Sequence, residues 1–168
     1  MRQAGVVTTA PPTTRITPRS FYRVVAIAEA VTWTMLIAGL LLKYVFDAGD
    51  LWVRIGGSIH GFVFLAYAAT AVLVGVNQRW RVGLIAFGVL TAIVPYATIP
   101  FDRWLERNSR LDGEWRTQAT DDPRDHTWID RLLRWFLNHP VVLGALLVVG
   151  VAVVFTVLVI IGPPGGGH

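Results

Sequence analysis

The 168-residue chain has no cysteine, so disulfides, thiolate metal sites and thiol catalysis are all excluded. Charge is also scarce, at 15% of residues against the roughly 25% usual in soluble domains. No phosphate loop, dinucleotide fingerprint or nucleophile elbow is present. What fills the chain instead is apolar: 54% of residues are hydrophobic and the mean hydropathy is +0.52, which points to the membrane rather than to a water-soluble fold. The net charge is +4, but its excess gathers at Arg2, Arg15, Arg19 and Arg23. That placement suits anionic lipid headgroups better than nucleic acid, which is not expected as a partner.

Residues 1–20 are rich in Thr and Pro and read as a disordered arm. The apolar segment after it is too long for a signal peptide and no small-residue cleavage site follows it. Four apolar runs come next, from about Tyr22 to Phe46, Ile55 to Val76, Val82 to Phe101 and Pro140 to Gly162. Each reaches the ~20 residues that a helix needs to cross a ~30 Å hydrocarbon core. Tyr22, Trp52, Trp80, Trp104 and Trp135 stand near the ends of these runs, where amphipathic rings favour the headgroup level, while Trp33 lies well inside the first. The fold class expected is all-α: a four-transmembrane-helix bundle with an interfacial amphipathic helix in the third loop.

That amphipathic helix is expected over 128–138. Trp128, Ile129, Leu132, Leu133, Phe136 and Leu137 form one face and Asp130, Arg131, Arg134 and Asn138 the other, ahead of Pro140. The segment Asn108 to Thr127 is polar without a period, to be mobile or docked on a partner. The tight turn at Asn77 to Arg81 makes the second and third spans antiparallel neighbours. With four crossings, a cytoplasmic N-terminus leaves six arginines inside and nine basic residues outside. The four arginines around the first span nevertheless outweigh Lys43 and Arg54 and orient both termini to the cytoplasm of a bacterial inner membrane.

Polar groups inside the hydrocarbon are costly, so Glu29, Lys43, His60 and Tyr96 are the candidate site residues. At ~1.5 Å per residue, Glu29 lies about 10 Å in from one surface and His60 about 8 Å in from the other. The two levels are then about 12 Å apart, which argues against a direct pair. Glu29 shares its level with Asn77, Gln78 and Arg81, as a buried staple or as a proton or cation site. His60 shares its level with Tyr96, Thr98 and Lys43. Gly57 and Gly61 flank it as a small-xxx-small face for close helix approach. A bis-histidine haem between His60 and His139 is disfavoured, because His139 lies at the surface, about 8 Å shallower. His126 and His168 suggest no metal site, and no cofactor is expected.

Phe21-Tyr22-Arg23-Val24-Val25-Ala26 with Glu29, then Lys43-Tyr44, Gly57-Ser58-Ile59-His60-Gly61-Phe62 and Ile99-Pro100-Phe101 resemble a family of small bacterial integral membrane proteins with a His-Gly motif, domain of unknown function 3817. The resemblance covers residues 21–105. It implies a three-span module common in actinobacteria and brings no reaction or ligand with it. The hydrophilic loop over 106–139, the fourth span over 140–162 and a tail over 163–168 are additions to that module. The function expected is a non-enzymatic homo-oligomer or accessory subunit of a larger membrane complex. The competing class is a small oligomeric transporter or channel, or a lipid- or quinone-handling protein, using Glu29 and His60.

Overall fold

The computed structural model describes residues 16–161, so the tail and most of the N-terminal arm expected above lie outside the described residues. Within them the chain is all-helical, with α1 (Pro18–Tyr44), α2 (Leu51–Asn77), α3 (Val82–Thr91), α4 (Thr98–Arg107), a 3₁₀ turn (Pro123–His126), α5 (Trp128–Asn138) and α6 (Pro140–Ile161). Thr17 and Ser20 form a capping box at the start of α1, with Pro18 in the first turn where its missing N–H costs nothing. Lys43 closes the α1–α2 connection on Asp50 at 2.8 Å, and the chain bends there through positive φ at Asp47 and Gly49.

Three helices, α1, α2 and α6, are long and apolar enough to cross a membrane. The third apolar run is not one helix. After Thr91 the bonding tightens to i→i+3 steps, Ala92 to Val89, Ile93 to Leu90 and Val94 to Thr91. Pro95 then has no N–H to continue the ladder, and Tyr96 at φ 63° turns the chain back. The result is a helical hairpin of two ten-residue arms. Its apex meets the middle of α1, where the Trp33 indole donates to the Ala92 carbonyl at 3.2 Å and Thr34 pairs with Tyr96 at 3.2 Å. Its two feet meet each other, the Trp80 indole donating to the Arg110 carbonyl at 2.9 Å. The bundle therefore has a fourth apolar member as expected, but one that enters and leaves at the face holding Pro18 and Asn77.

This hairpin changes the path of the rest of the chain. Helix α6 begins beside Leu73, with Pro140, Leu143 and Leu147 near it, and ends beyond Phe155, which packs on Phe62 at 6.5 Å and on Gly61. It runs antiparallel to α2. Pro18 and Ile161 thus stand at opposite faces of the bundle, whereas the expectation of both termini on one side counted the third apolar run as a crossing.

The polar segment 108–122 is not free. Asn77 donates to the Glu114 carbonyl at 3.1 Å and accepts from the Arg116 N–H at 2.9 Å, while Gln78 donates to the Gly113 carbonyl at 2.7 Å. Asp125, 2% exposed, gathers Arg79, Arg116 and Thr120. Helix α5 has the limits expected and turns its polar face to this clamp, with Asp130 on Arg116 at 2.6 Å. Trp128, Leu132 and Trp135 point outward.

Candidate functional site

The core of the hairpin end is partly polar. Tyr22 and Tyr67, both fully buried, join hydroxyl to hydroxyl at 2.6 Å, and Tyr67 continues to Thr91 at 3.0 Å. Around them pack Ala26, Ala71, Val74, Trp80, Phe101 and Leu105. Buried hydroxyls of this kind persist in hydrocarbon because each finds a partner.

Glu29 lies one helical repeat above Tyr22 and is fully buried. Its partner is none of Asn77, Gln78 and Arg81, the first two of which are committed to the 113–116 segment. Instead Thr98, brought down by the returning arm α4, donates to Oε2 at 2.9 Å. The other oxygen, Oε1, has no hydrogen-bond partner among the described residues. Trp33 lies near this carboxylate too, but its N–H is directed at Ala92. On the same face of α4, one turn after Thr98, Asp102 is 5% exposed and accepts from Arg23 at 3.2 Å. Its second oxygen, Oδ1, is likewise unpartnered. Arg23 also bonds Glu106, and Arg19 bonds Asp112, so this end of the column opens onto a charged surface.

His60 is also buried, but it does not meet Tyr96, Thr98 or Lys43. Its Nδ1 lies 3.1 Å from the Thr32 hydroxyl and its ring packs on Trp33 at 4.3 Å. Tyr96 goes to Thr34, and Lys43 to Asp50 and over the Tyr44 ring. Glu29 and His60 form no direct pair, yet they are closer in depth than expected, since Thr32 is one turn, about 4.5 Å, beyond Glu29. The reason is that α2 begins at Leu51 rather than Ile55, so His60 sits deeper. His139 bonds the Trp135 carbonyl at 2.7 Å at the end of α5.

The close backbone approach of α1 and α2 uses other glycines than Gly57 and Gly61. A Cβ on Gly56 would meet the Met35 carbonyl oxygen at 2.9 Å, and one on Gly39 the Trp52 carbonyl oxygen at 2.8 Å. Gly57 faces the Leu36 side chain and Gly61 the Phe155 ring. Thr32 and Asp102 were not singled out from sequence, and Thr98 was placed with His60 rather than with Glu29. Threonines are common in spanning helices, and Asp102 stood at the assumed end of a span.

An all-helical bundle with three helices of spanning length and a buried polar column is a multi-pass membrane protein. The chain belongs to the family described as Domain of unknown function (DUF3817), whose profile matches residues 19–107, more than half of it. It is 42% identical over 100 residues to a protein of Streptomyces coelicolor described as a membrane protein. That stretch is 59% of this chain but 11% of the relative, so the chain matches about a tenth of the relative's length. No solved structure matches the chain.

Proposed function

We propose that the protein is a non-enzymatic accessory subunit of a larger assembly in the bacterial cell membrane. The observation that carries this reading is the relative in which the matched region makes up 11% of the length, because there the same kind of module is joined to a far larger membrane polypeptide. The shape supports it. Past the apex of the hairpin, among the described residues, α1, α2 and α6 alone continue, and α1 leaves Met35, Leu40 and Leu41 outward, a flank suited to another spanning helix.

The orientation we propose follows from charge. Among the described residues, Lys43 and Arg54 are the Lys and Arg at the far face; the others lie in the first turns of α1, at the hairpin feet or in the 108–139 segment. By the positive-inside rule the arginine-rich face is cytoplasmic, and α6 leads to the other side. Helix α5, with Trp128, Leu132 and Trp135 outward, then lies on the lipid of the cytoplasmic leaflet.

The test is isolation from native membranes after photocrosslinking at Leu41. A distinct membrane protein joined at that position is expected. Crosslinks to further copies alone would replace the accessory role by a homo-oligomer, and a strictly monomeric protein joined to nothing would sink both. A small transporter or channel is the second reading, favoured by the unpartnered Glu29 oxygen; changed proton-coupled flux in Glu29→Gln at unchanged expression would support it.

A further inference from the structure

We infer that Glu29 is a proton-binding site, loaded from the arginine-rich face by way of Asp102. Three observations meet here. Glu29 is fully buried with one carboxyl oxygen bonded to Thr98 and the other without a hydrogen-bond partner among the described residues. The described residues place no cation against it, since Arg23 is engaged by Asp102 and Glu106. A second buried carboxyl oxygen, Asp102 Oδ1, is unpartnered on the same face of the neighbouring α4. In hydrocarbon, a carboxyl group held in that way is accommodated by taking up a proton, and intramembrane carboxyls of this kind mark proton relays.

The route is legible in the packing. Asp102 follows Thr98 by one turn on α4, so the carboxyl that meets Arg23 lies next to the residue that bonds Glu29. The broken third helix is what brings Thr98 and Asp102 to this depth, as interrupted helices do at proton and ion sites in transporters. Beyond Glu29 the seam between α1 and α2 is tight, because their backbones touch at Gly39 and Gly56. The two buried carboxyl groups therefore lead from the arginine-rich face to the middle of the bundle. Loading adds one proton from the water at that face to Glu29 Oε1, and unloading returns it.

The ionisable groups around Glu29 are Tyr22 and Arg23 on α1, His60 and Tyr67 on α2, and Asp102 on α4; α3 and α6 carry none. Infrared difference spectra of the intact protein in lipid nanodiscs, recorded between acid and alkaline pH, separate them. A carboxylic-acid carbonyl band that appears on acidification is expected, absent from Glu29→Gln and displaced in pH midpoint by Asp102→Asn. Identical titrating spectra in wild type and Glu29→Gln would overturn the proposal, including the case of a permanently protonated staple. An unmoved midpoint in Asp102→Asn would remove Asp102 from the route. Should Glu29→Gln fail to fold, Thr98→Val, which deletes the donor to Oε2, must move the same midpoint, and a spectrum unchanged by it overturns the site as well.

Discussion

The Thr32 hydroxyl stands between Glu29 and His60, donating to the main-chain carbonyl of Glu29 at 2.9 Å while lying 3.1 Å from His60 Nδ1. One hydroxyl has one hydrogen. Since the carbonyl can only accept, the hydrogen-bond network assigns the other hydrogen to His60, as the Nδ1–H tautomer. Replacing Thr32 by Val removes that acceptor. It is expected to lower stability by about 1 kcal/mol and to shift His60 toward Nε2–H. Nitrogen-15 chemical shifts of the ring check it, and an unchanged tautomer would refute the assignment.

Adjacent glycines separate backbone contact from mere smallness. Gly56→Ala drives a methyl group to 2.9 Å from the Met35 carbonyl oxygen, which a helix backbone cannot yield to cheaply, whereas Gly57→Ala meets Leu36 at an ordinary 3.7 Å. The first is expected to cost about 1–3 kcal/mol and the second to be nearly neutral. Denaturant titration in mixed micelles measures both; equal effects would contradict the α1–α2 contact described above.

The hairpin makes a sidedness prediction that a continuous third span does not. The chain has no native cysteine, so single substitutions can be labelled without background. Arg81→Cys and Asn108→Cys, at the two feet, are expected to react with a membrane-impermeant maleimide from one side, and Ala48→Cys from the other. Labelling of positions 81 and 108 from opposite sides would restore a full crossing.

The clamp over segment 108–127 should loosen in acid. Thr120, through its hydroxyl and backbone N–H, and then the Arg79 guanidinium hold the Asp125 carboxyl well below the usual carboxylate range; Arg124, followed by Arg79, does the same for Asp122. A carboxyl whose folded value is depressed contributes stability above its unfolded value, roughly pH 4, and that contribution is lost as pH falls further toward the folded value. Amide exchange and proteolysis within this segment are expected to rise progressively below about pH 4. Asp125→Asn should show the faster exchange already at neutral pH, with a weaker acid dependence.

What could be read from the sequence was whatever depends on one segment and its solvent. The runs of α1, α2 and α6 are apolar enough to declare themselves, and the alternation along Trp128–Asn138 marked α5 with its limits. Membership of the family was likewise legible in the sequence, and the matching profile covers residues 19–107. Reading depth along straight helices failed where the chain departs from them. Pro95 and Tyr96 turn the third run back, so Thr98 reaches Glu29, and Arg79 finds Asp125 across the end of the bundle. These pairings join residues far apart in the chain and depend on where two helices are brought to the same depth. Composition and period therefore determined that the protein lives in a membrane and which segments are helical. Only the tertiary structure decided which apolar segments run the length of the bundle, which carboxyl groups share the buried column, and that the two ends of the described chain stand at opposite faces.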